Sequence, residues 1–231
     1  MCRYDIFAPL YCYRGFLFSR RTGGNMNTTN STAAKKKMFD TRTLVFTAVM
    51  AALSVVLSEL LSFKVPIMPS FISFDLSDVP AVLASLTMGP VSGVAVCLIK
   101  NLEGLFTTMT GGVGELSNFV LSACLVIPAG IAAKKTPKYH LVIIGCIAGA
   151  LLSGAVSILS NYFIVYPVYT AIMPMEAIIG MYKAILPSVD GLLECLIIFN
   201  MPFTIAKGLI ASLITVPLYK RLRPVFNSTN N

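Results

Sequence analysis

The sequence predicts an all-α integral membrane protein, a six-transmembrane-helix bundle with both termini in the cytoplasm, and three observations carry that prediction. The 231 residues are 56% hydrophobic and only 12% charged, with a mean hydropathy of +0.78, whereas soluble domains carry roughly 25% charged residues. Apolar runs recur through residues 41–222 and leave no room for a soluble domain; each can supply the roughly 20 helical residues that cross a hydrocarbon core. Ten of the eighteen basic residues fall in three short clusters beside those runs: Lys35, Lys36, Lys37 and Arg42; Lys134, Lys135 and Lys138; Lys220, Arg221 and Arg223. Lys and Arg accumulate in this way on cytoplasmic loops. The net charge of +8 therefore does not read as a nucleic-acid surface, which would need a soluble basic face.

Taken in order, residues 1–37 form a polar N-terminal tail. Its first 25 residues carry arginines and aromatics without the continuous apolar core of a secretory signal, and translation is expected to begin at Met26, where an Asn/Thr/Lys-rich stretch starts. The membrane domain is expected over residues 38–224 and a short C-terminal tail over 225–231. Apolar runs set against helix breakers give a first helix over about 41–63 and a short second helix over about 77–88, entered through Asp75-Leu76-Ser77-Asp78 as an N-cap. Gly89-Pro90 then forces a tight turn. The third helix runs over about 90–108, the fourth over 115–133, the fifth over 140–165 and the sixth over 191–222. The second helix is too short to span alone, but with the N-terminus inside, only an even number of passes puts all three basic clusters in the cytoplasm. Glu59, Asp75, Asp78, Glu103, Glu115, Glu176, Asp190 and Glu194 then fall in the outer half or outer loops. The outer segments 64–75 and 166–190 are long enough to be lids, or are plain connectors.

Lys207 is the most informative position, because an ammonium within a membrane helix costs several kcal/mol and faces a cavity or a partner. Helical spacing puts Asn200, Phe203, Thr204 and Lys207 on one side of the sixth helix. Pro202 among them lacks an N–H and frees the carbonyl near Ile198. The alternative for Lys207 is snorkelling, or pairing with a helix dipole at the inner end. On the fifth helix Gly149, Ser153, Ser157 and Asn161 recur every fourth residue, a stripe that permits close packing and ends in an amide able to meet a planar heterocycle. Lys100, Asn101, Glu115 and Asn118 add polar groups at comparable depth, for binding or for structural pairing. In the first helix Ala48 and Ala52 form a flat small-residue pair, which alone is a weak signal.

Other chemistry lacks material. The six cysteines have no CxxC spacing, and Cys97, Cys124, Cys146 and Cys195 read as small buried hydrophobes. His140 is the sole histidine and stands at a helix start, so no metal site is expected. There is no GxxxxGK[ST] phosphate loop and no acid–base dyad, so the chain is not expected to be an enzyme.

Four stretches carry a family resemblance: FISFDLSDVPAVLA at 71–84, MGPVSGVAVCLIKNL at 88–102, SNYFIVYPVY at 160–169 and PFTIAKG at 202–208. In this order they resemble the substrate-binding S components of energy-coupling-factor (ECF) transporters, riboflavin-specific branch, over roughly residues 38–224. The resemblance implies a six-helix fold in a bacterial cell membrane, with a pocket opening outward beneath the first outer loop, that captures riboflavin as cargo. It also implies partners, a transmembrane coupling protein and two ATPase subunits, whose ATP hydrolysis drives import; Ala48 and Ala52 would dock the coupling protein. Phe71, Ser73 and Phe74 match loop positions that cover the flavin, and Asn161 and Lys207 match polar contacts to it. Asp75 joins the candidates from its place in the same loop. Thr204 departs from the family's PFNxxKG pattern, which leaves open another vitamin, a heterocyclic precursor or FMN as cargo. A solitary transporter driven by protons or sodium would need an intramembrane carboxylate or an inverted repeat, and neither is evident in the sequence.

Overall fold

The computed structural model describes residues 40–64, 73–106, 108, 111–135, 138–170, 174–187, 189 and 191–227. Nearly all of it is helical. The elements are α1 (Thr41–Leu60), β1 (Phe63–Lys64), β2 (Ser73–Phe74), α2 (Asp78–Met88), α3 (Pro90–Gly104), α4 (Val113–Lys135), α5 (Tyr139–Ser160), α6 (Tyr166–Tyr169), α7 (Met175–Lys183), α8 (Leu192–Cys195) and α9 (Met201–Asn227). A π-helical turn, Asn161–Val165, joins α5 to α6, and another, Leu196–Asn200, joins α8 to α9.

Among the described residues four continuous helical runs are long and apolar enough to cross a bilayer: Thr41–Leu60, Val113–Lys135, Tyr139–Tyr169 and Leu192–Pro224. They correspond to the first, fourth, fifth and sixth helices expected from sequence. The second and third are present but short, at 11 and 15 residues, or roughly 16 and 22 Å against a hydrocarbon core of about 30 Å. The third ends at Gly104, four residues before the expected stop, and the first ends at Leu60 where the chain turns into β1. β1 pairs antiparallel with β2, Phe63 opposite Phe74 and Lys64 opposite Ser73. This pairing and α7 were not foreseen: two-residue strands carry no periodicity to read, and nine residues of α7 sit inside a segment that looked like loop.

The core forms around α2. Val79, Ala81, Val82, Leu83, Ala84 and Leu86 are all buried, as are the polar residues between them, so this helix is enclosed on every side and its lack of an amphipathic stripe is what its position requires. It packs against α1, α3, α4 and α9. Its exit is set by Gly89, whose φ of +105° suits a residue without a Cβ, and by Pro90 at the first position of α3, where a missing N–H is harmless. Ser85 Oγ donates to the Val126 carbonyl at 2.6 Å, tying α2 to α4. The opposite faces of the outer helices present Leu44 and Val45 of α1, Ile144 and Leu151 of α5 and Leu213 of α9 outward, as a lipid-facing surface should.

α4 and α5 meet most closely at Gly149, where an added Cβ would collide with the Leu125 carbonyl oxygen, a backbone atom that cannot rotate away. Gly149→Ala should therefore lose about 1–3 kcal/mol despite alanine's better helix propensity. Gly180→Ala in α7, where the new methyl meets nothing within 4 Å, should be neutral or gain up to about 1 kcal/mol. Thermal unfolding of both variants in the same detergent checks the contrast.

Candidate functional site

A cavity of about 150 Å³ lies between α4, the α5–α6 run and α9. α4 contributes Gly114, Ser117, Asn118, Leu121, Ser122 and Leu125; the α5–α6 run contributes Ser153, Asn161, Val165, Tyr166 and Tyr169; α9 and the turn before it contribute Asn200, Phe203, Thr204, Lys207 and Gly208. Ser73 of β2 and Asp78 of α2 complete the wall. Aromatic and aliphatic faces are thus interleaved with amides and hydroxyls, the composition of a small-molecule site.

Both π-helical turns lie at this cavity, and each is followed at its second residue by a proline, Pro167 and Pro202. A proline has no N–H for the carbonyl four residues earlier and its ring crowds that carbonyl. Those carbonyls belong to Phe163 and Ile198, each inside its π turn. The wider turn accommodates the clash and reorients the side chains that follow, and π turns are often found at functional sites. The result aims Asn161 and Tyr166 from one helix, and Asn200 and Thr204 from the other, at the same space. Tyr182 of α7 donates to Asn200 Oδ1 at 3.1 Å and lies 2.6 Å from the Tyr166 hydroxyl. It thereby pins the outer helix to both π-turn regions. Asn161 Nδ2 donates to Ser157 Oγ at 3.2 Å, and Thr204 Oγ1 donates to the Asn200 carbonyl at 2.8 Å with Ser157 Oγ at 3.2 Å.

A cluster of four charges adjoins this wall. Lys207 Nζ lies 2.8 Å from Asp75 Oδ2 and 3.5 Å from Asp78 Oδ2. Asp78 Oδ1 receives Lys100 Nζ at 2.7 Å and the Ser122 hydroxyl at 2.8 Å. Lys100 also donates to Ser77 Oγ at 2.9 Å, and both the hydroxyl and the backbone N–H of Ser77 donate to Asp75 Oδ1. Burial alone would raise the Asp75 carboxyl, but the ammonium groups of Lys207 and Lys100 outweigh it and hold the group below the ordinary carboxylate range.

Among the sequence-derived candidates, Ser73, Asn161, Thr204 and Lys207 converge on one cavity. Phe74 is not in its wall; it packs edge-on against Phe203, ring centroids 6.2 Å apart. Asp75 also stands behind the wall, as the partner of Lys207. Phe71 lies outside the described residues, as does Asp190. The expectation that Lys207 either faces a cavity or snorkels to a helix end is corrected in its second half: it is neutralised by carboxylates from another part of the chain. The Asp75–Asp78 stretch does not cap α2 through a Ser77 side-chain bond, because that hydroxyl is committed to Asp75. Asp78 proves to be a buried carboxylate within the bundle, 4% exposed, but it is bridged by two lysines instead of being available to a translocated ion. Ala48 and Ala52 both lie exposed on α1. Sequence reading missed Ser122, Tyr166 and Tyr169; the four-residue interval of Ser117 and Leu121 with Asn118 and Ser122 on α4 was the available signal. Among the described residues no group of His, Cys, Asp or Glu is placed to hold a metal ion.

A helical membrane protein that encloses a cavity lined by polar and aromatic side chains has the build of a binding component for a small solute. Residues 42–219 match the family model described as "ECF transporter, substrate-specific component", and the chain belongs to that family. It is 31% identical over 188 residues to the riboflavin transporter RibU of Staphylococcus aureus, covering 81% of this chain and 94% of that protein. It is 27% identical over 184 residues to the riboflavin transporter FmnP of Bacillus subtilis, covering 78% and 92%. A solved S component of a bacterial ECF transporter superposes with a TM-score of 0.63 at 30% identity, covering 80% of this chain and 97% of that one. The family is one of transporter components, not of enzymes.

Removing Lys207 should leave Asp75 as a buried carboxylate with its strongest partner gone. Lys207→Met is expected to cost about 3–5 kcal/mol, and the added change Asp75→Asn should recover more than half. Denaturant or thermal melts of the single and double variants test the pairing.

Proposed function

We propose that this protein captures riboflavin on the outer side of a bacterial cell membrane and delivers it inward as the substrate-specific component of an ECF transporter. The observation that carries the reading is the near end-to-end similarity to proteins named riboflavin transporters, 94% and 92% of their lengths. The cavity supports it chemically. A flavin ring is planar and apolar with a polar edge, suited to Phe203, Tyr166 and Tyr169 around the amides of Asn161 and Asn200 and the ammonium of Lys207. Ser73 and Phe74, beside Phe203, close the same end. Six passes with both termini inside account for the basic clusters, α2 forming a short pass enclosed by the bundle and α3 a short one with an outward apolar face.

Binding needs no reaction by this chain. Import is driven by ATP hydrolysis in partner subunits, a transmembrane coupling protein and two ATPases, docked through the exposed Ala48 and Ala52 face of α1. Thr204 favours a second reading, another flavin-like or heterocyclic vitamin. Its hydroxyl already donates to the Asn200 carbonyl, so from this position only an acceptor is left for a ring edge, and a donor must come from Asn200, one turn away.

Titration of the purified protein with riboflavin, followed by quenching of flavin fluorescence, tests the cargo. Wild type should bind stoichiometrically, and Lys207→Ala that remains folded should bind roughly 10- to 100-fold more weakly, the worth of one hydrogen bond to a charged group. A wild-type protein indifferent to riboflavin would move the cargo to another vitamin. Ala48→Trp and Ala52→Trp should leave riboflavin binding by the isolated protein intact and abolish uptake by cells; normal uptake would refute the docking face.

A further inference from the structure

Four ionisable groups beside the cavity form a closed ring through Ser77. Lys207 bridges Asp75 and Asp78, Asp78 holds Lys100, Lys100 reaches Ser77, and Ser77 returns to Asp75. Two carboxylates and two ammonium groups sum to zero. Asp78 and Lys207 face the cavity, whereas Lys100 stands behind Asp78, 7% exposed, and forms no part of the wall. Lys207 is the one cation among the described wall residues. Alone it would attract anions; within the ring it offers hydrogen-bond donors from a cluster whose own four charges cancel.

We propose that the Asp78–Lys100 pair sets the charge of the binding site and so determines its choice between an uncharged ligand and the same ligand bearing a phosphate. A phosphomonoester carries nearly two negative charges, and inside the protein such a group needs a compensating cation to replace its hydration. The neutral ring supplies none, while an uncharged heterocycle needs none. Lys100 therefore acts as a positioning residue: it occupies Asp78 Oδ1 and leaves Oδ2 for Lys207, so that Lys207 is shared between two carboxylates.

The inference rests on the flavin-binding reading, and its test compares the affinities of the purified full chain for riboflavin and for riboflavin 5′-phosphate. Both are measured on one preparation, so that any unfolded fraction cancels in the ratio. Wild type should prefer riboflavin. Asp78→Asn, nearly isosteric, leaves the ring at +1 and should move the ratio on the order of a hundredfold toward the phosphate, the effect of one unit charge on a nearly doubly charged group about 10 Å away at an effective dielectric near 20. Lys100→Met leaves it at −1 and should move the ratio by a similar factor, on the order of a hundredfold, the other way; Lys100→Gln serves if the methionine variant does not fold. The double variant Asp78→Asn/Lys100→Met is neutral again and should return to the wild-type ratio even if both affinities fall. A residue that merely supports the fold would weaken the two ligands alike, and ratios that do not follow the charge overturn the proposal. Wild type that binds neither flavin overturns this inference together with the reading beneath it, whereas wild type that binds riboflavin with unresponsive ratios overturns the charge ring alone.

Discussion

Asp78 is a carboxylate at the first turn of a helix enclosed on every side, and an isolated charge in such a place would cost several kcal/mol even after relaxation. The bundle is arranged to meet that cost. Lys100 arrives from α3, Ser122 from α4 and Lys207 from α9, while Ser77 brings in Asp75 from the segment after β2. Five parts of the chain are thereby fixed relative to one another at one level of the bundle. That level is also the wall of the cavity, so the constraint that holds the helices in register also fixes where the cavity can be.

Around this anchor the two long helical runs that form most of the cavity are locally irregular in the same manner. Each has a proline two residues beyond a π-helical turn, and each directs an asparagine into the cavity. Regular helices would keep their backbone groups paired and their side chains on fixed stripes. The irregular turns release that rule over one turn apiece, Phe163 and Ile198 facing outward while Asn161 and Asn200 line the cavity. Tyr182 then links α7 to both regions, so the outer helix, the turns and the cavity share one hydrogen-bonded set.

Much of this was legible in the sequence, for physical reasons. Long apolar runs mark the candidate spans because lipid is an unforgiving solvent, and Lys207 stood out because an ammonium in an apolar run needs a reason. Pro202 marked the irregular turn for the same reason. What could not be read was the partner of each charge. Lys207 and Asp75 are 132 residues apart in the chain, and Asp78 looked like an ordinary helix-start residue because capping and burial use the same residue type. The β1–β2 pair and α7 were invisible because elements that short are stabilised by tertiary contacts that no local pattern encodes.

The turn at Gly89 and Pro90 makes α2 and α3 a tight hairpin, and the bridge between Asp78 and Lys100 spans it near its open end. Entering lipid separately, α2 would bring Asp78 and α3 would bring Lys100 without the partner that neutralises it. Entering together, they carry a neutral pair. The residue pair that adjoins the finished cavity is thus also the pair that lets the two facing charges of the hairpin be removed from water as a neutral unit.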